Sequence, residues 1–224
     1  MAKIIFVIGG ARSGKSAFAE GFAKKYDDVV YIATAEAKDE EMRERIRIHC
    51  ARRPFDWKTI ESPYHVDKAV SDLNGKAGIV LIDCITLYIT NMFLRIETGA
   101  SGRGERPFAP TLAKGHESSP SLTSSDRGGE PNQMVNSADC SEMQKATPQE
   151  RQQAILAEIH KLGRVCRESK SDVIIISNEV GLGIVPDNAL SREFRDIAGY
   201  ANQILADEAD EVYFMVAGIA RRIK

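Results

Sequence analysis

A glycine-rich segment of eight residues is the strongest constraint on how this chain can fold. It fits the pattern GxxxxGK[ST] and consists of Gly9, Gly10, Ala11, Arg12, Ser13, Gly14, Lys15 and Ser16. An apolar run precedes it at Lys3–Ile8, and a segment with helical patterning follows at Ser16–Lys25. In that setting the backbone N–H groups of the loop converge on phosphate oxygens, and the helix dipole adds to their attraction. The segment predicts a phosphate loop, with an ordinary glycine-rich turn as the alternative.

The last two residues of the predicted loop carry its chemistry. Lys15 would reach the β- and γ-phosphates of a nucleotide and serve as a catalytic residue. The hydroxyl of Ser16 would be a ligand of Mg²⁺. We therefore expect the chain to bind a nucleoside triphosphate together with Mg²⁺.

The rest of the chain alternates short apolar runs with longer helical segments. Predicted strands lie at Lys3–Ile8, Asp28–Ala33, Gly78–Asp83, Asp172–Ser177 and Glu211–Val216. Predicted helices lie at Ser16–Lys25, about Asp39–Ala51, Ile85–Leu94, Gln149–Ser169 and Asn188–Ala209. Because parallel strands need crossover connections, this alternation indicates an α/β fold with a mostly parallel sheet flanked by helices.

One stretch, 98–147, differs from the rest in composition. Of its 50 residues only Phe108, Leu112, Leu122 and Val135 are Leu, Ile, Val or Phe. So little apolar surface cannot offset the entropy lost on ordering, and we expect a flexible, low-complexity surface insertion. The two flanking parts then form one P-loop nucleotide-binding catalytic domain that spans residues 1–224.

Composition excludes several classes of protein. The chain has 30 Lys plus Arg and 32 Asp plus Glu, a net charge of −2, which argues against a nucleic-acid partner. No run approaches the roughly 18 apolar residues of a membrane helix, so we do not expect an integral membrane protein. The four cysteines lie far apart without a CxxC pair, which predicts neither a disulfide scaffold nor a zinc site. These features favour a cytoplasmic location.

Polar residues that end two of the predicted strands are candidates for the active site. Asp83 directly follows four apolar residues, as a Mg²⁺-organising carboxylate does, although an Asp at a strand end can also cap the next turn. Asn178 and Glu179 end a later strand. Since ligands bind at the carboxyl ends of parallel strands, these two residues lie near the active site or, alternatively, cap a loop.

A histidine lies within a basic cluster in the second predicted helix. His49 is four residues after Arg45, so both side chains are on one helix face, and Arg52 and Arg53 follow closely. A neutral imidazole beside several guanidinium groups could act as a nucleophile toward a nucleotide phosphate. The residues alone equally allow a solvated histidine on a charged helix.

An ordered set of motifs resembles one enzyme family. The motifs are GGARSGKS at 9–16, YIAT at 31–34, RIRIHCARRP at 45–54, WKTIE at 57–61, LIDCIT at 81–86, NEVGLGIVP at 178–186 and FRDIAGYANQILADEADEVYFMVAGI at 194–219. Together they resemble the bifunctional adenosylcobinamide kinase/adenosylcobinamide-phosphate guanylyltransferase family of vitamin B12 biosynthesis. The likeness covers nearly the whole chain except 98–147, where members of that family have a shorter, helical connection.

The resemblance implies a RecA-like P-loop fold, a homo-oligomer that is typically a trimer, and two reactions. The family phosphorylates adenosylcobinamide with GTP or ATP. It then transfers GMP from GTP to adenosylcobinamide phosphate through a covalent histidine–GMP intermediate, which gives adenosylcobinamide-GDP. By motif matching, His49 is the catalytic histidine.

The same matching assigns further residues. Arg52 and Arg53 would hold phosphates, and the remaining nucleotide-binding positions would be Thr34, Ala35, Glu36, Glu61 and Asp83. Three charged residues would contact the corrinoid or a neighbouring subunit, namely Arg192, Arg195 and Asp196, although such a charged run is also typical of a solvated helix face.

Two other functions remain compatible with the residues. The chain could be a single-activity P-loop kinase for a small molecule, with a structural His49. It could also be a nucleotide-gated binding module that binds nucleotide tightly with negligible turnover. The first is distinguished by the lack of covalent labelling from GTP, and the second by the lack of turnover.

Overall fold

The computed structural model describes residues 2–73, 75–98 and 146–224. The strands are β1 Ile4–Gly9, β2 Val29–Ala33, β3 Lys58–Glu61, β4 Ile79–Asp83, β5 Asp172–Asn178, β6 Glu211–Val216 and β7 Ile219–Arg222. The helices are α1 Lys15–Ala23, α2 Glu40–Arg52, α3 Val66–Asp72, α4 Ile85–Glu97, α5 Pro148–Glu168 and α6 Ala189–Glu208. All five strands and all five helices predicted from the sequence are present, with boundaries shifted by no more than three residues.

The seven strands form one sheet in the order β3-β2-β4-β5-β1-β6-β7. All neighbouring pairs are parallel except β6 and β7, which are antiparallel. The predicted α/β fold with a mostly parallel sheet and flanking helices is therefore confirmed. One strand, β5, separates β1, which leads into the phosphate loop, from β4, which ends at Asp83. The carboxyl ends of these strands lie along one edge of the sheet.

Helices cover the two faces of the sheet unequally. On one face, the core includes buried side chains from α3, α4, α5 and α6, among them Tyr88, Ile159 and Leu205. On the other face, α1 is the helix whose buried residues, including Ala19 and Ala23, join the core. Helix α2 contributes no buried residue. The face that carries α1 is consequently more open, and α2 lies outside the core.

The sequence did not predict three short elements. Strand β3 has four residues with a single buried apolar side chain, Ile60. Helix α3 has seven residues, and β7 has four at an edge of the sheet. Segments this short lack the repeated apolar spacing that identifies a helix or a strand.

A buried arginine joins the two chain ends that flank the predicted insertion. Arg151 is 4% exposed and hydrogen-bonds to Glu97 at the end of α4 and to the carbonyl of Ala146 before α5. It also forms a bidentate salt bridge with Glu193 on α6, in which Nε donates to Oε1 at 2.7 Å and Nη2 donates to Oε2 at 2.8 Å. Residues 99–145 of the predicted insertion lie outside the described residues.

Within the described ranges, we find no helix whose length and hydropathy would allow it to cross a membrane.

Candidate active site

The phosphate loop lies between β1 and α1, as the sequence predicts. A Cβ atom on Gly9 would come within 2.5 Å of the backbone oxygen of Met215, so a larger residue does not fit there. Gly14, at the start of α1, has φ +97°, a left-handed conformation that glycine adopts without strain. A phosphate loop needs both features: close backbone packing, which Gly9 allows, and a turn into the helix, which Gly14 allows.

Lys15 is buried within this loop. Its Nζ donates to the carbonyl oxygens of Gly9, at 2.9 Å, and Gly10, at 2.6 Å. Burial lowers the pKa of the Lys15 ammonium, and the nearby Asp83 carboxylate opposes the shift. The ammonium therefore lies over the loop where phosphate oxygens would be bound.

Asp83 joins the phosphate loop to the neighbouring strands. Its Oδ2 accepts one hydrogen bond from Ser16 Oγ, at 2.9 Å, and another from Tyr31 Oη, at 2.7 Å. A hydroxyl and a carboxylate this close supply the oxygen ligands that Mg²⁺ prefers, so the pair fits the predicted metal site. Tyr31 was not predicted, because an aromatic residue inside an apolar strand has the pattern of a core residue.

A buried hydrogen-bond network holds the ends of β2 and β4 together. The Thr34 hydroxyl donates to the carbonyl of Cys84 and accepts from its amide N–H, both at 2.8 Å. Asn91 on α4 donates to the carbonyls of Thr34, at 2.8 Å, and Pro63, at 3.1 Å. The Thr34 side chain is thus fully buried, and its hydroxyl is hydrogen-bonded to the backbone of the protein itself. Asn91, a polar residue within an apolar helix, could have been identified from that contrast.

The end of β5 lies directly beside the phosphate loop. Asn178 pairs with Gly9 in the sheet register, and the backbone N–H of Glu179 donates to the Gly9 carbonyl at 3.0 Å. The Glu179 carboxylate accepts from the N–H of Gly181, which is a loop-capping contact. Thr86 and Asn202, which the sequence analysis missed, bind the backbone of Asn178. Glu179 therefore lies beside the phosphate loop through its backbone and caps a turn through its side chain, so the structure is compatible with both alternatives left open by the sequence.

His49 lies near the C-terminal end of α2 and is half-buried. Burial is the main cause that lowers the pKa of its imidazole, and Arg45, Arg52 and Arg53 lower the pKa further. The Asp83 carboxylate acts in the opposite direction, so His49 lies within electrostatic range of the loop region. An imidazole with a lowered pKa is neutral at pH 7, the form that can act as a nucleophile.

The two arginines after His49 contact the fold next to Asp83. The Arg53 guanidinium stacks 3.5 Å from the centre of the Tyr31 ring, and its Nη1 lies 3.4 Å from the Thr59 hydroxyl. Arg52 lies 4.0 Å from Glu20 on α1. Arg53 thus contacts Tyr31, and the Tyr31 hydroxyl donates to the Asp83 carboxylate, which also accepts from Ser16.

The other predicted nucleotide-binding residues lie at the ends of β2 and β3. Ala35 and Glu36 follow Thr34, and the Glu36 carboxylate contacts Lys38, at 2.8 Å, and the Tyr64 hydroxyl, at 3.3 Å. Glu61 ends β3, where it pairs with Ala33, and Ala33 in turn pairs with Asp83. Glu61 is exposed and lies two strands from Asp83, about 10 Å away at the usual strand spacing.

The charged run on α6 makes local contacts. Arg192 donates to the carbonyls of Pro186 and Asp187, at 2.9 and 2.6 Å. Arg195 pairs with the adjacent Asp196 at 3.1 Å. None of these hydrogen bonds, within the described chain, joins the run to the phosphate loop.

Comparison with known proteins identifies the family. The family model described as "Cobinamide kinase / cobinamide phosphate guanyltransferase" matches residues 5–223. The chain is 36% identical to the "Bifunctional adenosylcobalamin biosynthesis protein CobU" of Escherichia coli (strain K12), over 99% of each chain. Identity to the protein of the same name from Salmonella typhimurium (strain LT2) is also 36%, over 99% of each. The "Bifunctional adenosylcobalamin biosynthesis protein CobP" of Pseudomonas aeruginosa is 32% identical, over 97% of this chain and 95% of its own. The chain belongs to the cobinamide kinase / cobinamide phosphate guanyltransferase family.

Proposed function

We propose that this protein catalyses two successive reactions in adenosylcobalamin biosynthesis. It phosphorylates adenosylcobinamide with GTP or ATP, and it then transfers GMP from GTP to adenosylcobinamide phosphate to form adenosylcobinamide-GDP. The names of its relatives and of its family, which describe a bifunctional kinase and guanyltransferase, support the pair of reactions.

The kinase reaction uses the phosphate loop. The hydroxyl oxygen of adenosylcobinamide forms a bond to the γ-phosphorus, the bond to the β,γ-bridging oxygen breaks, the nucleoside diphosphate leaves, and the hydroxyl proton is released. Lys15 and the loop N–H groups hold the phosphates in place. Ser16 and Asp83 would hold Mg²⁺, which neutralises phosphate charge when bound. The protein's contribution is positioning and charge stabilisation.

The guanylyl transfer uses His49. An imidazole nitrogen forms a bond to the α-phosphorus of GTP, the α,β-bridging bond breaks, and pyrophosphate leaves. A phosphate oxygen of adenosylcobinamide phosphate then attacks the same phosphorus, the P–N bond breaks, and the imidazole is regenerated. Arg52 and Arg53 would stabilise the charge that builds on the transferring group.

The observation that carries this proposal is the environment of His49. Burial and three arginines lower the pKa of the imidazole, and Asp83 of the loop region lies within electrostatic range. A fully solvated histidine on the same charged helix would have the arginines beside it but would lack the burial, which is the main cause of the lowered pKa. The lowered pKa keeps the nucleophile neutral without a separate general base.

The test is covalent labelling with GTP that carries the label on the α-phosphorus, in the presence of Mg²⁺ and without corrinoid. We expect acid-labile label on the protein, because phosphoramidates break in acid, and no label on the His49→Ala variant. His160→Ala, an exposed histidine on α5, is the matched control and should label normally. Nucleotide binding without label would instead favour a single-activity kinase, and binding without any turnover would favour a nucleotide-gated module.

We also infer that the protein forms a homo-oligomer, most simply the trimer that is typical of this family. We further infer a cytoplasmic location, where GTP and ATP are available. Exposed apolar side chains support self-association, among them Leu182, Ile184 and Ile219. Light scattering after size exclusion measures the assembly, and a monomeric mass at micromolar concentration would contradict it.

A further inference from the structure

A buried carboxylate on α1 has no evident role in stability. Glu20 lies one helical turn after Ser16, on the same face of α1, and is 7% exposed. Within the described part of the chain, its Oε1 has no hydrogen-bond partner. Burial raises the pKa of this carboxyl, and Arg52 opposes the shift. A carboxylate that is buried with one oxygen unpaired lowers the stability of the fold.

Among the described residues, the cation within 4.0 Å of Glu20 belongs to the helix that carries His49. Arg52 Nη2 lies 4.0 Å from Glu20 Oε2. This separation is too long for a hydrogen bond, so the carboxylate acts on Arg52 through its charge. Arg52 is the last residue of α2, three positions after His49, and thus occupies the same helical turn.

Helix α2 depends on such contacts for its position. It has no buried residue, and its two exposed ion pairs, Glu40–Arg43 and Glu44–Arg47, join residues of the helix to each other. At its C-terminal end, Arg52 is drawn toward α1. The neighbouring Arg53 rests on the sheet through Tyr31. These contacts hold the last turn of α2, which carries His49, against α1 and beside Tyr31, the residue that hydrogen-bonds to Asp83.

We propose that Glu20 is a positioning residue for guanylyl transfer, which holds the last turn of α2 beside the phosphate loop through Arg52 and thereby orients His49 toward the α-phosphate of GTP. The proposal rests on the function proposed for His49. Glu20 acts through another residue and does not touch the reacting atoms. Its loss should consequently slow the formation of the His49–GMP bond more than it weakens GTP binding.

The experiment compares the full-length wild type with Glu20→Gln, which removes the charge and retains the shape. The rate of acid-labile labelling from α-labelled GTP is measured as a function of GTP concentration, together with the thermal unfolding midpoint. We expect about a fivefold lower maximal rate, equivalent to about 1 kcal/mol, and a half-saturating GTP concentration within about twofold of the wild-type value. We expect an unfolding midpoint no lower than wild type, because Gln removes a buried, incompletely paired charge.

Two further variants complete the design. Glu44→Gln removes a glutamate from an exposed ion pair on α2 and should label at the wild-type rate. In an Arg52→Gln background, Glu20→Gln should have no further effect on the rate, since its action passes through Arg52.

An unchanged labelling rate in Glu20→Gln would overturn the proposal, as would a rate loss accompanied by a lower unfolding midpoint, which indicates a structural role. Additive losses in the double variant would also overturn it. Failure of the wild type itself to label would instead refute the function proposed for His49, so the two failures are distinguishable.

Discussion

Removal of Arg151 is expected to destabilise the fold more than removal of any exposed arginine. An arginine cannot lose its charge in a protein, so its burial at 4% exposure requires anionic partners. Those partners are Glu97 and Glu193, 54 and 42 positions away in the sequence, together with the Ala146 carbonyl. The guanidinium also lies 5.1 Å from the centre of the Phe93 ring.

The magnitude follows from what the substitution Arg151→Met leaves behind. Methionine replaces the aliphatic stem but leaves two carboxylates without their cation, with side chains 28% exposed for Glu97 and 14% for Glu193. Breaking a fully buried ion pair costs roughly 3–5 kcal/mol. Since both carboxylates retain some solvent, we expect a loss of about 3 kcal/mol, the lower end of that range.

Urea unfolding followed by circular dichroism measures this loss. The matched control is Arg47→Met, whose guanidinium forms a solvent-exposed pair with Glu44 and whose loss should leave the free energy of unfolding close to the wild-type value. The triple variant Arg151→Met, Glu97→Gln, Glu193→Gln has no unpaired charge and should regain most of the loss. A loss below about 1 kcal/mol for Arg151→Met, or no recovery in the triple variant, would refute the reasoning.

Three further predictions concern the site. The rate of His49 labelling should rise with pH and level off, with a midpoint below about 6.5, because burial and the arginines lower the pKa of the imidazole; a midpoint above that value in a pH–rate profile would contradict this. Asp83→Asn should reduce the Mg²⁺-dependent kinase rate at least about 100-fold, roughly 3 kcal/mol, since the amide is a poorer metal ligand, and an unchanged Mg²⁺ titration would argue against a metal role. Gly9→Ala should weaken nucleotide binding measured by calorimetry, because its Cβ would lie 2.5 Å from the Met215 oxygen. Gly21→Ala, on α1 outside the loop, meets nothing within 4 Å and should bind normally.

The phosphate loop and the five longer strands of the sheet were predictable because their signals are local. The loop is defined by eight consecutive residues, and the apolar runs that form β4 and β5 are buried on both faces, so each strand identifies itself. The prediction that Asp83 follows a buried strand required no knowledge of the neighbours of that strand. The hydrogen bond from Tyr31 to Asp83, in contrast, joins residues 52 positions apart, and Tyr31 had the pattern of a core residue.

The sequence by itself determined the α/β class, the phosphate loop and, through family resemblance, the candidate His49. Hydrophobic periodicity and the residue pattern of the loop are signals within about ten consecutive residues, so they can be recognised without knowing which distant segments pack against them. The tertiary structure decided the strand order, the approach of Arg53 to Tyr31 and the pairing of Glu20 with Arg52. These contacts depend on which distant segments pack together, and a single sequence contains no local signal for the distance between them.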